Sequence, residues 1–253
     1  MKSISIIAII LSLLLLKAGD VTSQSLTAAQ IVDKANQKFR GATSRGEVTM
    51  SIVRPAWKRD ITMKTWAKGD TYSLILITAP ARDKGTSFLK RNKEVWNWQP
   101  TIERVIKLPP SMMSQSWMGS DFTNDDLVRE NSIVDDFNAS LLSEGKINER
   151  ASYQIELIPK EEAAVVWGKI ILWIDKQDFI EMKGEFYDED GELINIMTSS
   201  EIMKMGGRKI ATKVEMIPAD KPGNKTIIEY KDIVFDEPIS DDFFSVQNMK
   251  RIK

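Results

Sequence analysis

VVWGKIILWI, residues 165–174, reads as a strand with no wet face. At a period of two, Val165, Trp167, Ile171 and Trp173 share one side, and Val166, Ile170, Leu172 and Ile174 the other. Its neighbours alternate instead. In FIEMKGEF (179–186), Ile180, Met182 and Phe186 oppose Glu181, Lys183 and Glu185, so the charged set is expected in solvent. In RKIATKVEM (208–216), Ile210, Thr212, Val214 and Met216 oppose Lys209, Ala211, Lys213 and Glu215. A doubly apolar strand among half-wet ones asks for cover on both sides. A curved antiparallel sheet, with one element packed into its mouth and another against its back, supplies that cover.

The rest of the chain fits such a sheet. From Gly46 onward, period-two runs separated by turn residues give about ten strands, spaced as in an antiparallel meander. One helix precedes them. In LTAAQIVDKANQKF, Thr27 and Gln30 form a capping box, Ile31, Val32, Ala35 and Phe39 form one apolar stripe, and Gly41 ends the helix. No low-complexity linker or internal repeat divides the chain, so residues 24–253 are expected to fold as a single domain. Residues 1–23 read as a secretory signal peptide: Lys2, a short apolar run from Ile4 to Leu16, then small residues up to Ser23. That run is too short to span a bilayer. An exported chain of this length without cysteine has to be held by its core alone.

Composition removes several chemistries. There is no histidine, so Ser-His-Asp systems, Cys-His systems and His-ligated zinc are excluded. A formal charge of −1 gives no electrostatic reason to bind nucleic acid. DEDGE at 188–192 lacks an acid where Phe186 stands and reads better as a hairpin turn than as a calcium loop. The pairs Asp125–Asp126 and Asp241–Asp242 follow Thr123 and Ser240, as acids do in the first turn of a capped helix. No cofactor or catalytic constellation is expected. A hydrolase working with carboxylates alone is the least favoured reading, since no other catalytic feature supports it.

The unusual segment is PPSMMSQSWMGSDFTNDD, residues 109–126. Pro109 and Pro110 forbid ladder hydrogen bonding, so the chain must leave the sheet there. Met112, Met113, Trp117, Met118 and Phe122 then give an apolar surface, Gly119–Ser120 a break, and Thr123 a helix cap. Trp96 and Trp98, two apart on the preceding strand, share a face. Met adapts to ligands of imprecise shape. These seven residues are the expected apolar-ligand site, with the segment as its lid; a covered core helix is the competing reading.

The stretches SMMSQSWMGSDFTNDDLVRE, VVWGKIILWIDK, YDEDGEL, ADKPGNKTIIEYKDI and PISDDFF, in this order, resemble the outer-membrane lipoprotein-sorting family, the LolA-like periplasmic carriers. The resemblance runs from Thr27 to Phe244. It implies a mainly β fold with few helices: a single half-open antiparallel β-barrel whose concave apolar face is closed by an N-terminal helix and a helical lid. It also implies a monomeric, non-enzymatic periplasmic protein with lipid or lipoprotein acyl chains as cargo, an inner-membrane transporter as partner and transient membrane contact. The alternative is an accessory interaction domain of an inner-membrane export complex.

Overall fold

The computed structural model describes residues 25–253 except 93, 129–132 and 164. The expected signal peptide lies outside the described residues. The first element is the capped helix, α1 (Ala28–Arg40). The Thr27 hydroxyl accepts from the Gln30 amide at 3.2 Å, and the Thr27 amide donates to the Gln30 side chain at 2.9 Å. Ala28, Ile31 and Val32 are buried.

Thirteen strands follow, more than the spacing of turns foretold. They are β1 (Thr43–Arg54), β2 (Trp57–Lys68), β3 (Tyr72–Ala79), β4 (Ser87–Arg91), β5 (Glu94–Gln99), β6 (Arg104–Lys107), β7 (Phe137–Ile147), β8 (Arg150–Pro159), β9 (Lys169–Asp175), β10 (Glu181–Tyr187), β11 (Leu193–Met205), β12 (Arg208–Pro218) and β13 (Lys225–Phe235). The strand that alternation hides is β7. Seven residues in a row, Ser140 to Lys146, are exposed, so it carries no two-faced pattern and is held by pairing with β8.

All thirteen form one antiparallel sheet, in the order β6-β5-β4-β3-β2-β1-β13-β12-β11-β10-β9-β8-β7. Neighbours in space are neighbours in sequence everywhere except at β1–β13. The sheet does not close, since β6 and β7 are its two edges. The connection between those edges is the proline-led segment, followed by the short helices α2 (Asn124–Val128) and α3 (Ile133–Asp136). Ile77 and Phe88, near one edge, share one core cluster with Ile155 and Leu157, near the other. The sheet is therefore curled, and α1 (Ile31, Val32) and the connecting segment (Trp117, Phe122) pack inside the curl.

VVWGKIILWI is only partly a strand. β9 begins at Lys169, and residues 165–168 lead into it without strand pairing. Ile170, Leu172 and Ile174 face inward and are buried; Ile171 and Trp173 face outward and are half-exposed. The expected covering element on the back is thus replaced by neighbouring side chains. The Lys183 ammonium sits 4.5 Å over the Trp173 ring and that of Lys169 4.2 Å over Tyr187, long stems covering apolar surface while their charge stays wet.

The back of the other half does have a covering element. The chain after β13 runs across it through Ile239, Phe243, Phe244 and a last turn, α4 (Val246–Met249), packing on Leu74 and Leu89. Phe244 stacks on Tyr72 at 5.4 Å, and Phe243 meets Trp66 at 5.5 Å.

Candidate functional site

The prolines act as the sequence requires. Past β6 the chain leaves the ladder, and Pro110–Met112 makes a single 3₁₀ turn. The segment then folds back on itself: the Trp117 amide donates to the Phe122 carbonyl at 2.8 Å, that of Asn124 to Gln115 at 2.8 Å and that of Asp125 to Met113 at 3.0 Å. Thr123 caps α2 reciprocally with Asp126, its hydroxyl accepting at 3.1 Å and its amide donating at 2.8 Å. Met118 (φ 51) and Gly119 (φ 81) make the break before the cap.

Four strands grip that break. Arg54 of β1 donates to both Asp121 carboxylate oxygens at 3.0 Å and to the Gly119 carbonyl at 2.9 Å. Thr226 of β13 donates to Asp121 at 2.7 Å and accepts its amide at 2.9 Å. Arg59 of β2 bonds the Met118 carbonyl, and Asn195 of β11 donates to the Asp121 carbonyl at 3.2 Å. The Arg54 and Asp121 side chains are only 14% and 8% exposed, so the pair is a largely buried one. Sequence reading missed this clamp, because its partners stand 67 and 105 residues from Asp121.

Of the seven expected ligand residues, the structure brings three to the inner core. Trp117 is fully buried against Phe88, ring centres 5.1 Å apart, with its indole N–H unpaired. Met118 packs beside it, and Phe122 is buried in the same cluster. Met112 and Met113 are half-buried, tied through their carbonyls to Asn124 and Asp125. Trp96 and Trp98 lie elsewhere, packed with Phe244 and Met249 beneath the C-terminal segment.

Two neighbouring cavities inside the curl bear on function. One, of about 300 Å³, lies between α1 (Val32, Ala35, Phe39) and the inner sheet face (Leu172, Ile174, Val214, Ile228). The second, of about 240 Å³, extends past Trp167, Phe186 and Met216. They share Phe122, Asp126, Ile133, Leu172, Glu181 and Met197, and so adjoin one another as two parts of one lined region. The walls are apolar with a few convergent polar groups, as in small-molecule sites generally. Asp126 accepts from the Trp167 indole at 3.1 Å and from Thr123; burial raises its pKa and these hydrogen bonds oppose the rise.

Glu181 was expected in solvent, and it is not there. A β-bulge intervenes: Glu181 pairs with Ile174 but Lys183 pairs with Trp173, leaving Met182 as the extra residue. Directly paired residues share a face, so the bulge puts Glu181 inside with Ile174 while Lys183 stays outside with Trp173. Glu181 lines both parts of the cavity. Burial alone pushes its carboxyl up to about 7. Among the described residues, no cluster of three or more His, Cys, Asp or Glu side chains is placed to hold a metal ion. No described helix is long and apolar enough to cross a membrane.

A family model described as an uncharacterized protein matches residues 69–251. Among solved structures, the chain is similar to a DUF1329 family protein from Desulfovibrio piger ATCC 29098, at 23% identity and a TM-score of 0.79, over 88% of this chain and 97% of that one. It is similar to a LolA superfamily protein from Nitrosomonas europaea, at 24% identity and a TM-score of 0.77, over 88% and 99% of the two chains. A putative outer membrane lipoprotein-sorting protein domain from Vibrio parahaemolyticus gives 22% identity and a TM-score of 0.79, over 88% and 98%. No curated protein sequence matches.

Proposed function

Since the chain belongs to the uncharacterized-protein family matched over residues 69–251 and has the fold of the LolA superfamily, we propose that it is a non-enzymatic carrier of lipid or lipoprotein acyl chains. In this reading the curled sheet is a half-open barrel, and residues 109–126 with α1 cover its concave face. The protein works as a monomer in the periplasm, receiving cargo from an inner-membrane transporter and touching the membrane only in passing. The observation that carries the reading is the pair of adjoining apolar cavities enclosed by α1, the connecting segment and the sheet. Each methylene withdrawn from water contributes about 0.8 kcal/mol, so such a space holds an acyl chain without any chemistry. Release needs only a receptor or membrane that offers more burial. Phe122 lines both parts of the cavity and is the residue of the segment assigned to touch cargo, while Trp117 and Met118 hold the segment in place.

Native mass spectrometry and lipid extraction of protein purified without detergent from its own envelope test this. The expected result is a bound amphiphile, depleted in a Phe122→Asp variant. A consistently empty protein with a tightly bound protein partner would instead establish the second reading, an accessory interaction domain. One observation favours that alternative: β7 is an edge strand with Leu141 and Leu142 each 48% exposed, open to pairing with another chain.

A further inference from the structure

Glu181 has no hydrogen-bond or ion-pair partner among the described residues, yet it points into the cavity at the junction of its two parts. The local backbone is shaped around it. The bulge at Met182 is stabilised by burial of that side chain against Ile180 and Ala211. Two residues on stands Gly184, where a Cβ would lie 3.3 Å from the Glu181 carboxylate and 3.0 Å from the Phe186 ring. The absent side chain leaves room for the carboxylate. An acid brought into an apolar space by a bulge, with a glycine clearing its place, has the form of a recognition group.

We propose that Glu181 recognises a cationic head: the cavity takes an amphiphile whose hydrocarbon adjoins an ammonium group, and the Glu181 carboxylate pairs with that ammonium. This rests on the carrier reading and specifies its cargo. The choice of charge follows from what else faces the space. The inner cavity is lined by Asp126 on α2, by Asp125 and Asp136, and by no described basic residue. The larger part also meets Lys38 on α1 and Lys209 on β12, which both bond Asp178, at 3.9 and 2.6 Å. An anionic head would sit beside the Glu181 carboxylate in a part of the cavity lined by no described basic residue, and a neutral one would leave the buried Glu181 charge unmatched. A cationic head offsets it.

The test is displacement of the neutral apolar probe N-phenyl-1-naphthylamine by decylammonium, decanol and decanoate, below micelle formation, from the full chain and its Glu181→Gln variant. At pH 8 the wild type should release probe to decylammonium at concentrations at least tenfold lower than to decanol. That ratio should fall to near one in Glu181→Gln, and in the wild type as the pH drops to 5.5. Equal displacement by the amine and the alcohol in the wild type, or an amine preference that survives in Glu181→Gln, overturns the proposal while leaving the carrier reading intact. Failure of the neutral probe to bind either protein overturns the carrier reading, and this proposal with it.

Discussion

Glu181 makes a prediction about stability that is independent of cargo. Burial raises its carboxyl from an ordinary 4.5 to about 7 in the folded protein. The folded state therefore holds this proton more tightly than the unfolded one. The stability that follows is fully present below about 4.5 and is lost as the pH rises through about 7. The span corresponds to roughly 3 kcal/mol as an upper figure. Glu181→Gln should accordingly be more stable than the wild type at pH 8, by up to about 3 kcal/mol, and nearly equal to it at pH 4.5. Urea melts of both proteins at the two pH values measure the difference. A Gln variant no more stable at pH 8 would mean that the carboxylate already has a partner and does not sit alone in the cavity.

At the scale of elements, the segment 109–126 is a strap fastened at its middle. Breaking a buried ion pair from one side leaves the other charge uncompensated, at a cost of about 3–5 kcal/mol. Arg54→Met should therefore destabilise the protein by that order and remove hydrogen-exchange protection first at Ser120 and Phe122. Protection lost no earlier there than in β1 would show that the clamp does not hold the strap. Trp117→Ser is expected to cost about 3–5 kcal/mol as well, because Trp117 is fully buried in the core. The sequence announced the local features of this strap, since prolines, a glycine break and a Thr-capped turn act on their immediate neighbours. The Arg54–Asp121–Thr226 grip was illegible because nothing near Asp121 points to β1 or β13. Trp96 and Trp98 illustrate a second limit. A period of two says that they share a face, but the C-terminal segment decides which face is covered. Glu181 shows a third. Strict alternation assigns it to the wet side, and the bulge that reverses this depends on pairing with β9 and on a pocket for Met182.

For the whole molecule, the decisive contact is the one seam that sequence order does not supply. β1–β6 and β7–β13 are two meanders, each formed by neighbouring hairpins, and they become one sheet only where β1 meets β13. That pairing joins residues nearly the whole chain apart, and it lies behind a large part of the shared core, where Met50 and Ile52 of β1 pack with Ile228 of β13. Neither half buries its inner face without the other, so the two should unfold together rather than as separate domains. The seam also has a sensitive point. A Cβ at Gly46 would lie 2.5 Å from the Asp232 carbonyl oxygen, backbone against side chain with nothing flexible to yield. Gly46→Ala should push β1 from β13 and cost about 1–3 kcal/mol, the range for overpacking. Because the halves are coupled, that loss should appear equally at both ends of the sheet. Hydrogen exchange followed by mass spectrometry, read on peptides from β4 and from β9 across a urea series, makes the comparison. Coincident midpoints, both lowered in Gly46→Ala, are expected. If β4 and β9 unfold at different urea concentrations, or the substitution lowers one and spares the other, the chain is two domains sharing a seam rather than one.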